Sequence, residues 1–157
     1  MGDKQISHDS AEKCLTGHAK YVDDIGLEKN ACHGYIGYSK MAHGYIKNID
    51  FSPIKALKGI LDIITYNDLP ALNDISPMNK GDEPILAEKH IKYWGQPIFL
   101  IIATTRETAR RASKLVKVKY KELKPIITAK HAKDQFSEPL LVTEPLTLQR
   151  GDFEKYF

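Results

Sequence analysis

Cysteine is nearly missing from this chain: Cys14 and Cys32 are the only two among 157 residues. Two thiols build no disulfide framework, and a reducing cytoplasmic compartment is the expectation. An iron–sulfur cluster normally takes four thiolates, so none is expected here. Long apolar runs are also missing. The longest, Pro97 to Ala103, has the length of a buried strand and falls far short of the ~20 residues a membrane-spanning helix needs. The start, Met1 to Gln5, is charged and lacks the apolar stretch of a secretory signal. No single sign of charge dominates. Twenty-three basic and 20 acidic residues leave a net charge of +3, too even to argue for nucleic acid.

Hydrophobic residues at 42% and charged residues at 27% give an ordinary globular balance. The length suits one domain with an appended segment, and such a chain buries roughly 70% of its unfolded surface without staples. Ser7 to Asp24 reads as an extended lead-in, with turns near Gly17 and near Asp23, Asp24 and Gly26. His33 to Ser39 and Tyr45 to Ile49 read as strands; Gly34 and Gly37 inside the first suggest a bulge or close backbone contact. Ser52 and Pro53 open a short helix, as cap and first residue, with Ala56 and Leu57 inward and Gly59 as a left-handed end.

Ile60 to Thr65 is apolar and β-branched, hence a strand. Asn67 to Pro70 is a turn, and Ala71 to Asp82 a loop. Ile85 to Ala87 and His90 to Tyr93 read as short strands, Gly95 to Pro97 as a tight turn, and Ile98 to Ala103 as the central strand. Thr104, with Glu107 three residues on, predicts a capping box. The helix Thr105 to Leu115 puts Ala109 and Ala112 on one face, and Val116 to Tyr120 alternates as a half-exposed strand. Thr128 to Asp134 is a short helix, and Leu146 to Phe157 resembles a connector. Strands and helices alternate irregularly, which predicts an α+β fold rather than a doubly wound parallel sheet.

Several stretches carry more than local structure. His8-Asp9-Ser10-Ala11 precedes Leu15-Thr16-Gly17-His18-Ala19-Lys20-Tyr21-Val22-Asp23-Asp24-Ile25. Ser39, Ala42-His43, Ile46 and Asp50 follow, then Asn73-Asp74-Ile75-Ser76-Pro77 and Asp82-Glu83-Pro84. Gly95-Gln96-Pro97-Ile98-Phe99 runs into Ala103-Thr104-Thr105-Arg106-Glu107 and Ala109-Arg110-Arg111-Ala112. Tyr120-Lys121-Glu122-Leu123 and Gly151-Asp152 complete the series. Their order and spacing resemble the hammerhead domain of the aldehyde oxidase and xanthine dehydrogenase family, from about His8 to Phe157. The opening and the Gly-Gln-Pro-Ile-Phe run resemble the bacterial type, whose molybdenum-binding subunit is a separate chain.

The resemblance implies an α/β-hammerhead: an α+β domain with a mixed β-sheet packed with a few short helices. It assigns residues 1–124 to that domain and 125–157 to a connector toward molybdopterin-binding domains. It also implies a context. The complete subunit hydroxylates a purine beside a ring nitrogen at a molybdenum–molybdopterin centre, and a partner chain with iron–sulfur clusters and FAD passes electrons to NAD. The family's Gly-Gly-Gln cofactor segment and its catalytic glutamate are not in this sequence, so no catalytic, cofactor-binding or metal-binding residue is carried over and the chain alone is expected to be inactive. Gly44 and Tyr45, Lys58 and Ala71 depart from the family pattern at turns and surface positions. A stand-alone binding module reusing the domain is the other expectation.

The remaining candidates are Gly17, Asp23, Asp24, His43, Gly95 and Gln96, as structural or interface positions. Gly17 and Gly95 suit turns. Asp23 and Asp24 diverge if extended, which favours turn capping over a shared acid–base site. His43 reads as a satisfied structural histidine rather than a ligand. Gln96, just before a buried run, is either a contact to the rest of the enzyme or a buried amide paired with loop backbone. Cys14, His18, Cys32 and His33 offer a poor zinc set, because adjacent strand residues face opposite ways. Arg106, Arg110, Arg111 and Lys114 form a basic helix face, solvated or at an interface rather than a phosphate site.

Overall fold

In the computed structural model, residues 8–78, 80–134 and 146–152 are described. The apolar run forms β5 (Pro97–Ala103), the middle strand of a sheet in which β1 (His33–Tyr38) and β3 (Ile60–Ile64) flank it. A second sheet has the order β4 (His90–Ile91), β2 (Gly44–Asp50), β6 (Lys117–Glu122). Every pairing is antiparallel. The α+β class holds, and the expected mixed sheet takes the form of two antiparallel ones. A parallel pair needs a long crossover within one sheet. Here each successive strand lies in the other sheet, so no connection, including the one through α3 (Arg106–Leu115) from β5 to β6, crosses over within a sheet.

β5 buries Ile98, Phe99, Ile101 and Ala103, with α3 laid across β1 and β5. The side chains of Ala109 and Ala112 are fully buried there, so the helix backbone sits close to the strands. Ile54 and Ile91 complete the core, with Tyr35, Ile46, Phe51 and Val118 packed around it. Gly37 marks a close approach. A Cβ on it would stand 2.1 Å from the ring of Phe99, and the register of β1 against β5 shifts at that point. Among the described residues no helix is long and apolar enough to cross a membrane.

The structure corrects several boundaries. The lead-in contains a helix, α1 (Ala11–Leu15), which buries none of its residues and therefore leaves no periodic signal. Phe51, not Ser52, holds the N-cap position of α2 (Ser52–Lys55); Asp50 Oδ1 accepts the Ser52 amide at 2.9 Å. Ile54, not Ala56 or Leu57, faces inward, because the helix stops at Lys55. Gly59 has φ +91° and shapes the turn into β3 rather than the helix end. Ile85 to Ala87 forms no strand: the Asn73 side chain takes both backbone groups of Leu86, at 2.7 and 3.0 Å. The last short helix is α4 (Ala129–Asp134). Residues 135–145 and 153–157, about half of the segment expected to be a connector, lie outside the described residues.

The capping box expected of Thr104 and Glu107 at α3 does not form. Thr105 is the cap, its Oγ1 accepting the Thr108 amide at 3.1 Å. Glu107 points forward, accepting from Arg110 Nε and Nη2 and from Arg111 Nε, each at 2.7 Å. These bonds, Arg110 first, hold the Glu107 carboxyl at about 2, against an ordinary 4.5. A depressed carboxylate contributes fully above its ordinary value and loses that contribution as pH falls toward its folded value. NMR titration of Glu107 is therefore expected to show the clamp intact down through pH 4.5 and released near 2; an ordinary carboxylate titration would refute it.

Candidate functional site

Two clefts open beside the Tyr93–Gln96 turn, and exposed Trp94 lines both. One has a volume of about 820 Å³ and is walled by Ala42, His43, His90, Lys92, Tyr93, Trp94, Pro125, Ile126 and Ile127. The other, about 630 Å³, lies toward Tyr35, Tyr38, Phe99, Val118 and Tyr120. Trp94 is 68% exposed and Ile127 78%, so among the described residues nothing covers the apolar walls of the first cleft. Large apolar side chains left together at a surface mark an interaction site.

Gln96 builds the turn that carries Trp94. It is 1% exposed. Its Oε1 accepts the Lys92 amide at 2.8 Å, and its carbonyl accepts the Ser39 amide at 2.8 Å. Gly95, with φ +81°, returns its amide to the Ser39 carbonyl at 3.0 Å. The end of β1 and this turn are thereby tied twice. A non-glycine residue at Gly95 would be forced into the left-handed region.

His43 reaches across the other wall. Its Nδ1 lies 3.0 Å from the Lys124 carbonyl and its Nε2 3.1 Å from His90 Nε2. A carbonyl only accepts, so Nδ1 carries a proton; in the neutral ring Nε2 is then a lone pair that accepts from His90. His90 stacks on Tyr45, with ring centroids 5.0 Å apart. Partial burial pushes its pKa below the usual histidine value, and His43 and Lys92 add to that. Gly44 lets β2 and β6 approach closely: a Cβ there would meet the Lys121 carbonyl at 2.5 Å.

The other candidates stay apart from these clefts. Gly17 sits in an exposed turn at φ +72°. Asp23 and Asp24 lie exposed in a 3-10 turn, where Asp24 Oδ2 accepts the Tyr21 amide at 3.0 Å. Cys14 and Cys32 are exposed free thiols, and among the described residues no three His, Cys, Asp or Glu side chains converge. Arg110 and Arg111 are committed to Glu107. Two features escaped the sequence reading. The His43–His90 pair spans 47 positions and has no local signature. Asp74 organises the 74–83 loop, accepting from Ser76 Oγ at 2.6 Å and from the Gly81 amide at 3.1 Å. Those bonds, the Ser76 hydroxyl first, keep its carboxyl below the ordinary range.

Residues 16–124 match the model of the aldehyde oxidase and xanthine dehydrogenase a/b hammerhead domain. A xanthine dehydrogenase of Blastobotrys adeninivorans is 39% identical over 131 residues, 82% of this chain and 9% of that protein. A xanthine dehydrogenase/oxidase of Gallus gallus is 35% identical over 156 residues, 98% of this chain and 11% of that protein. The solved aldehyde oxidoreductase of Desulfovibrio gigas superposes with a TM-score of 0.71 at 29% identity, covering 81% of this chain and 15% of that one. The chain thus spans about a tenth of the length of the curated relatives it matches. It belongs to the aldehyde oxidase and xanthine dehydrogenase family and comprises that family's hammerhead domain.

Proposed function

We propose that this chain is the hammerhead segment of the molybdenum-binding subunit of a bacterial-type xanthine dehydrogenase, and that it acts as a scaffold. The observation that carries the proposal is the end-to-end alignment of nearly the whole chain with a tenth of a xanthine dehydrogenase. In this reading residues 1–124 form the domain and 125–157 lead to the molybdopterin-binding domains. Gly17, Asp23, Asp24, His43, Gly95 and Gln96 are structural or interface positions. The complete enzyme hydroxylates hypoxanthine or xanthine in the cytoplasm, and a partner subunit with iron–sulfur clusters and FAD delivers the electrons to NAD. Two free thiols agree with that reducing compartment.

The described residues do not fit the molybdenum–pterin group. Hydroxylation at such a centre needs a carboxylate base and groups that grip the ring. The larger cleft is lined by imidazole, ammonium, aromatic and aliphatic side chains, with no carboxylate among them. The reading therefore assigns the chemistry to the rest of the subunit and gives the Trp94–Ile127 face the task of meeting it.

Coexpression of the continued reading frame with the iron–sulfur/FAD subunit is expected to give xanthine-dependent NAD reduction. Trp94→Glu in that complex is expected to lose assembly and activity together. The 157-residue chain alone is expected to turn over no xanthine and to hold no stoichiometric molybdenum. Turnover by the chain alone refutes the scaffold reading, and a frame that ends at Phe157 favours a stand-alone module.

A further inference from the structure

We propose that His43 and His90 form a two-imidazole site for a divalent zinc-class cation at the rim of the apolar cleft. Their Nε2 atoms approach to 3.1 Å while the ring centroids stand 5.2 Å apart, so the rings meet corner to corner rather than face to face. Zinc–nitrogen bonds of about 2.0–2.1 Å in a tetrahedral site put two ligand nitrogens roughly 3.3–3.4 Å apart. A small rotation of either ring supplies the difference. The second observation is the bond from His43 Nδ1–H to the Lys124 carbonyl at 3.0 Å. Metal-bound histidines characteristically give their other N–H to such an acceptor, which fixes the tautomer and the ring direction.

Without metal, the pair shares one proton in an N–H···N bond. On binding, the His90 proton moves from Nε2 to Nδ1 through solvent, both Nε2 lone pairs turn to the cation, and no proton is released. Tyr45 stacked on His90 keeps that ring in place. Lys92 is the opposing charge, but its Nζ is drawn 3.1 Å from the Asp82 carbonyl. The remaining coordination positions face the cleft and are left to water, as in a zinc site with open positions. No third histidine, cysteine or carboxylate joins the pair among the described residues, so the site is a weak one.

Titration of the 157-residue chain with zinc chloride, read by calorimetry and by imidazole nitrogen NMR, tests this. The expected result is one zinc per chain, with both Nε2 signals shifted. His90→Phe, which keeps a ring against Tyr45, is expected to weaken binding by at least the roughly tenfold that losing even an outer-shell partner costs. A Cys14→Ser, His18→Ala double variant is expected to bind as the parent does. Absence of binding, binding undiminished in His90→Phe, or binding lost in the double variant overturns the proposal. Circular dichroism of each variant separates loss of the site from loss of the fold.

Discussion

Ile101→Ala is expected to lower the free energy of unfolding by about 2–5 kcal/mol, the span seen when a large aliphatic side chain is cut from a core. Ile101 lies at the middle of β5 and has no exposed surface. Tyr35 of β1 is its partner on one side and Ile63 of β3 on the other. Neither neighbour can slide in to fill the gap, because both are held in register. From α3 the sheet meets Ala109 and Ala112, whose side chains are too short to follow the retreating surface. The cavity therefore persists, and the cost belongs in the upper part of the range.

Urea unfolding measures this prediction, through a fall in midpoint at unchanged slope. Leu61→Ala in β3, a residue 52% exposed, is the control and is expected to move the midpoint little. A loss below about 1 kcal/mol at Ile101 would mean that the core collapses around the deletion, and that the middle strand is not what holds the two flanking ones.

Legibility of the fold tracked how much of each element's signal is local. β5 announces itself because one of its faces is buried and the other half-buried, so the apolar run is continuous. α3 announces itself because small residues recur at helical spacing, and its start lies one residue beyond the expected one because Thr104 and Thr105 offer the same hydroxyl. α1 and α2 were harder. α1 buries nothing, and α2 is a single turn whose one inward residue, Ile54, is fixed by where the chain next turns. The Ile85–Ala87 segment has strand-like residues but spends its backbone bonds on the Asn73 amide, a tertiary choice that no periodicity records.

The candidate site divides the same way. Gln96 was legible as the polar residue before a buried run, and Gly95 as the glycine a tight turn requires. His43 stood out only as an isolated histidine. His90 carried no signal until β2 and β4 placed Tyr45 opposite it and brought the two imidazoles together. Contacts of that kind depend on register between distant strands, which the family resemblance supplies in outline and the residue pattern does not.

Gln96→Leu is expected to cost about 1–3 kcal/mol, even though it exchanges a polar side chain for an apolar one of similar size in a buried position. Leucine fills the volume but leaves the Lys92 amide without the Oε1 that accepts it at 2.8 Å. A donor in this part-buried position loses its acceptor with only partial compensation by water, which outweighs the small gain from burying a hydrocarbon. The backbone bonds linking Ser39 to Gly95 and Gln96 do not involve the side chain and should survive. The damage is therefore local: the Lys92–Gly95 turn loosens while β5 remains paired. Hydrogen exchange is expected to show lost protection at Lys92 with the Leu100 and Ile101 amides still protected, and Trp94 emission should change because this turn sets its position in the cleft. If instead Gln96→Leu is neutral or stabilising, the Lys92 amide has found another acceptor and Gln96 is retained for a contact outside this chain. The same variant in the complete enzyme would then lose assembly while the isolated domain keeps its stability.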